Sequence, residues 1–142
     1  MKKLVLVVLM AVLGAISIEA SAKTISSEIN VEWYEQNATL KVVNNSDYYM
    51  TLKVMKEYGG LYTTLYIPSH SSSVASFSRS GMFYIKMKAE KGLDVLYKKD
   101  SPFSIQCDDN GYTEATLSYY VSGSGGSNAG QSISRKEFES NN

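Results

Sequence analysis

His70 and Cys107 are the side chains of this 142-residue chain best suited to chemistry, and each is the only one of its kind. A hydrolase or acyl-transfer centre needs a nucleophile, a base within reach of it and a third group that orients the base. Serines surround His70 in the run Ser69, His70, Ser71, Ser72, Ser73, but no spacing pairs one of them with the imidazole. Cys107 falls on the same strand phase as Phe103 and Ile105, so it is expected to be a small buried hydrophobe. One histidine excludes a multi-histidine metal site, and one cysteine excludes an internal disulfide and any zinc site with two or more Cys ligands. Asp108, Asp109, Asn110 and Glu114 are oxygen-rich, yet calcium loops require a defined ligand series closed by a bidentate carboxylate. Turn chemistry already accounts for Asp109 and Asn110. The residues therefore predict no enzyme, no cofactor and no metal.

Recognition is the chemistry left. Tyrosine is in excess, eleven in all, and Tyr62, Tyr66 and Tyr84 fall on the expected outward strand phase. Such side chains present a rigid apolar ring with a hydrogen-bonding tip, which suits interfaces and sugar stacking. Lys86 and Lys98, with Lys91 and Lys99 nearby, are expected to share a basic, aromatic sheet face with Tyr84, and Lys88 to pair with Asp94 across it. The loop from Pro68 to Ser73, carrying His70, is a second candidate for contact. The candidate binding residues are thus Tyr62, Tyr66, Tyr84, Lys86, Lys98 and His70.

Strands must position them. From Ile29 to Tyr120 apolar and polar residues alternate, β-branched residues and tyrosine abound, and Gly or Asn clusters recur every few residues, which is the all-β pattern. About nine short strands are predicted, over 29–35, 38–43, 48–58, 61–67, 74–78, 82–89, 93–99, 103–108 and 112–121. Turn lengths suggest registers. A two-residue turn at Gly59 and Gly60 would set Val54 against Leu65, and one at Gln36 and Asn37 would set Trp33 against Leu40. Three-residue loops with glycine third, ending at Gly81, Gly92 and Gly111, would set Phe77 against Phe83, Met87 against Val95 and Ile105 against Ala115. Alanine at each of these glycines is expected to destabilise the fold. One apolar face per strand requires a second layer, so an antiparallel β-sandwich is predicted, immunoglobulin-like or prealbumin-like, with a small barrel as the alternative.

The two ends of the chain are different. Lys2, Lys3, the apolar run from Leu4 to Ile16 and the small residues Ala20, Ser21, Ala22 have the order of a secretory signal peptide. This reading assigns 1–22 to the signal, 23–121 to the sandwich domain and 122–142 to a Gly/Ser-rich flexible tail. In that tail Ser134 and Glu137 have the capping-box spacing that a short helix could use and Ile133 with Phe138 could form a small apolar patch, docking being the alternative to disorder. A 13-residue apolar run is too short to span a bilayer, no later segment is a candidate span, and no cysteine near Ala22 supports a lipid anchor. The chain carries 14 basic and 14 acidic residues, and without Lys2, Lys3 and Glu19 the balance is 12 to 13, which argues against nucleic acid as a partner. The expectation is a periplasmic or extracellular, noncatalytic binding or structural module of a bacterial cell envelope, recognising a protein or glycan. The alternative is a small periplasmic inhibitor or immunity-type protein that blocks one enzyme.

Overall fold

The computed structural model describes residues 36–122 and 127–142. The chain is an all-β sandwich. Its strands are β1 (Ala38–Asn44), β2 (Tyr49–Lys56), β3 (Leu61–Ile67), β4 (Ser72–Phe77), β5 (Gly81–Lys91), β6 (Asp94–Lys99), β7 (Phe103–Ile105), β8 (Cys107–Asp108), β9 (Gly111–Tyr112), β10 (Glu114–Tyr119) and β11 (Gln131–Ser132), followed by α1 (Arg135–Glu139). A smaller sheet has the order β10-β1-β4. The larger runs β11-β6-β5-β2-β3, with β7 joined to the first residues of β5. Among the described residues the sheets do not close into a barrel. Pairing is antiparallel except between β1 and β10, which run parallel with Leu40 opposite Ala115 and Val42 opposite Leu117.

Alternation explains the layers. In β1, Ala38, Leu40, Val42 and Asn44 are buried while Lys41 between them is exposed. Leu40, Val42, Ala75 and Phe77 from the smaller sheet meet Met50, Leu52, Val54, Ile67, Ile85 and Met87 from the larger in one core. Asn44 stitches the layers at one end. Its amide nitrogen faces the carbonyls of Tyr48, Ile67 and Pro68 at 2.7, 3.1 and 3.0 Å, and its oxygen accepts from the Ser46 hydroxyl at 2.6 Å. A fully buried polar side chain is tolerable here because these bonds satisfy it.

Several expected registers are corrected. The β2–β3 loop is longer than two residues: Lys56 N donates to Gly60 O, Gly59 and Gly60 have φ of 108° and 96°, and a bulge separates Val54 from Met55. Leu52 therefore faces Leu65, two residues from the expected register, and an even slip keeps every side chain on its face. The β5–β6 turn is shorter than expected, with Lys91 opposite Asp94 and Gly92 at φ 60°. That three-residue shift exchanges faces, so Leu96 packs against the core while Val95 is exposed. No hairpin joins β4 to β5, because β4 pairs with β1 and the chain changes sheets at Arg79 and Ser80. The hairpin at Asp109 and Asn110 holds only β8 and β9. Beyond it Ile105 pairs with Gly81 in one sheet and Ala115 with Leu40 in the other. The predicted strand 29–35 lies outside the described residues, and both edges of β1 are taken by β10 and β4.

The C-terminal segment, expected to be flexible, is held on the domain from residue 127 onward. β11 extends the larger sheet by pairing with Lys98 and Lys99, Ile133 N donates to Tyr97 O at 3.1 Å, and Ser134 caps α1 by accepting from Glu137 N. A helix of this length is unstable by itself. Tertiary contacts supply what it lacks.

Candidate functional site

The fold places the candidate residues in four separate regions. Tyr62, near the start of β3, stacks on Phe77 with centroids 4.9 Å apart and planes 12° from parallel, and meets Phe83 edge-on at 5.3 Å. Its hydroxyl donates to Ser76 O at 2.7 Å, and burial pushes its pKa up. Tyr62 is therefore the outer end of an aromatic stack that begins in the core. In front of it lies an open cleft of about 410 Å³ between the β2–β3 loop and the β4–β5 connection, lined among others by Glu57, Tyr58, Tyr62, Arg79, Met82 and Phe83. Tyr58 is 94% exposed at its rim. The chemistry is an apolar, aromatic floor with two cations, Lys56 and Arg79, and one anion, Glu57, around it.

Tyr66 projects from the outer face of β3 and is 63% exposed, opposite Thr51 of β2. It stands away from the basic residues on β6.

The expected basic face exists but is covered. Lys53, Lys86 and Lys99 form one rung across β2, β5 and β6. Lys86 is 1% exposed, and its ammonium donates to the carbonyls of Glu137 and Ser140 at 2.7 and 2.9 Å. Burial lowers its pKa, and the charges of Lys53 and Lys99 push the same way against the pull of Glu137. Lys53 donates to Phe138 O and Glu139 O at 3.0 and 3.3 Å. Lysines reaching the last carbonyls of a helix satisfy groups that the helix itself leaves open. Tyr84 is buried with the Lys99 ammonium 5.1 Å above its ring, and Lys98 donates to Ser132 Oγ at 2.9 Å. Lys86, Lys98 and Tyr84 thus meet the chain's own C-terminal segment or lie beside it. Lys88 pairs with Glu90 at 3.3 Å, while Asp94, its expected partner, accepts from the Tyr48 hydroxyl.

His70 is at the tip of the β3–β4 loop with φ 54°, a left-handed conformation that is uncommon outside glycine. Its Nε2 lies 2.7 Å from Asp47 Oδ1. The His70 hydrogen bond, then the Lys91 charge, hold the Asp47 carboxyl below its ordinary value. Cys107 is buried, as its phase predicts. Among the described residues no group of three or more His, Cys, Asp or Glu side chains could hold a metal ion, and no helix is long and apolar enough to cross a membrane.

Comparison of the chain with known protein families, curated proteins and solved structures gives no match. Tyr58, Arg79 and Lys53 are the site residues that sequence reasoning missed. The capping-box spacing of Ser134 and Glu137, with Ile133 and Phe138 as an apolar pair, signalled the docked turn, and nothing in the spacing signals that Arg79 and Tyr58 line one cleft.

Proposed function

We propose that this protein is an exported, noncatalytic binding or structural module of a bacterial cell envelope, recognising a glycan or protein surface through the cleft beside Tyr58. The observation that carries this reading is an almost fully exposed tyrosine at the rim of an aromatic floor, with Glu57 and Arg79 beside it. Aromatic platforms of this kind bind by ring stacking while the charged rim fixes orientation. Tyr62 contributes the floor rather than a free contact, because its hydroxyl is committed to Ser76.

The test is retention of envelope glycans and proteins on the immobilised protein. The double variant Tyr58→Ser/Arg79→Ser is expected to lower retention at least about tenfold, the scale of one anchoring side chain, and His70→Ala to leave it unchanged. Equal retention by the double variant would remove the cleft from the function. The opposite pattern, loss with His70→Ala and one stoichiometric enzyme recovered, would favour the inhibitor reading. The exposed His70 loop tip in a left-handed conformation supports that second reading.

A further inference from the structure

The lysine rung poses a physical problem that the C-terminal segment solves. Like charges directly opposite on neighbouring strands repel, and Lys53, Lys86 and Lys99 stand in direct register on three adjacent strands. Four backbone carbonyls of the segment accept from Lys53 and Lys86, and the Glu137 carboxylate lies 3.4 Å from Lys99. Phe138 fills a slot with Tyr97 5.4 Å to one side and the Lys53 ammonium 5.0 Å from its ring centre. The edge of β6 takes the two residues of β11. A strand edge, an aromatic slot and a carbonyl clamp are the parts of a peptide-binding surface. All of them come from β2, β5 and β6, and all the groups they receive come from residues 131–141, the last being Asn141 Oδ1, 2.9 Å from the Lys53 ammonium.

We propose that the outer face of the larger sheet is a peptide-binding site whose resident ligand is the C-terminal segment 131–142, and that the same segment of a second copy of this chain occupies it in trans when the resident one is displaced. The second copy is the partner because the complementarity shown is to this chain's own residues, so exchange remakes every contact. This site shares no residue with the cleft, and the proposal does not depend on the cleft's function. In the closed chain a short tether holds the segment at an effective concentration on the order of millimolar, so exchange emerges when closure is blocked.

Gly130 provides the block. A Cβ there would overlap the Lys99 carbonyl oxygen, so Gly130→Ala expels the segment while leaving every receiving side chain unchanged. Lys86→Glu does the converse, spoiling the clamp while leaving the segment intact. Each full-length variant should keep the mass of the wild type alone in light scattering. Their equimolar mixture, on the order of 100 µM and so a tenth of the tether's effective concentration, should form a one-to-one pair, and amide exchange should show Ile133 and Phe138 exposed in either variant and protected in the pair. A mixture that stays unpaired with those amides exposed overturns the proposal. Phe138→Ser, which empties the slot, is the second segment-defective variant should Gly130→Ala fold poorly. Protection of the segment's amides in both Gly130→Ala and Phe138→Ser would equally overturn it, since the segment would then be a fixed part of the fold.

Discussion

Tyr119 shows how single side chains tie distant parts of this protein together. Its hydroxyl donates to Asp100 Oδ2, and the other carboxylate oxygen accepts from Gly130 N at 2.6 Å. One carboxylate thus fastens the last strand of the smaller sheet and the root of the C-terminal segment to the end of β6. Burial, and then the bond to Asp100, push the Tyr119 hydroxyl above its ordinary pKa of 10.0. Above about pH 10 the unfolded chain releases a proton that the folded chain retains, so the folded state binds more protons and stability falls as pH rises. Tyr48 adds to the same decline through its bond to Asp94. Tyr119→Phe should therefore cost about 1 kcal/mol at neutral pH, for one lost hydrogen bond, and show a shallower loss of stability between pH 9 and 11. Urea midpoints across that range check both. Parallel declines in the two proteins would mean that Tyr119 keeps its ordinary pKa.

At the scale of elements, β5 is the strand around which the larger sheet is built. It pairs along most of its length with β2, and its opposite edge is shared, β7 taking the first residues and β6 the last. The turn that sends the chain from β5 to β6 relies on Gly92 in a left-handed conformation, followed by the fully exposed Leu93. Glycine at the first central position is what the tight II′ type of hairpin turn demands. Gly111 is different. It is absent from the left-handed region, and a Cβ there would meet only the Gln106 side chain, at 3.6 Å. Gly92→Ala should therefore destabilise by about 1 kcal/mol, and Gly111→Ala should be nearly silent, which corrects the expectation that both glycines serve the same kind of loop. Thermal or urea unfolding of the two variants side by side reads the difference.

Taken whole, the molecule should show two tiers of stability, because residues 131–142 are held by a two-residue strand, one aromatic and a set of lysine bonds, whereas the sandwich shares one continuous core that takes in Ala129. Amides of Ile133 and Phe138 should exchange through local opening with little urea dependence, and β2 and β5 amides only through global unfolding. Native-state exchange at several urea concentrations checks this, and a shared, steep dependence would mean that the segment unfolds only with the core. The all-β class and the inward set of most strands were legible in the amino-acid order, because a pleat of period two writes itself into alternation. Even the wrong β2–β3 register kept its faces, being off by two. β6 was not legible in this way, since Leu93, Val95 and Tyr97 compete with Leu96 for the inward phase. Phe77 and Phe83 do meet, with centroids 4.8 Å apart, but across the sandwich instead of across a hairpin, and alternation cannot distinguish two apolar side chains on one sheet from two on facing sheets. Lys86 marks the limit for the site. Sequence pattern puts a lysine in water because burying an ammonium costs too much alone, and only the tertiary fold brings the carbonyls of residues 51 and 54 positions away to receive it.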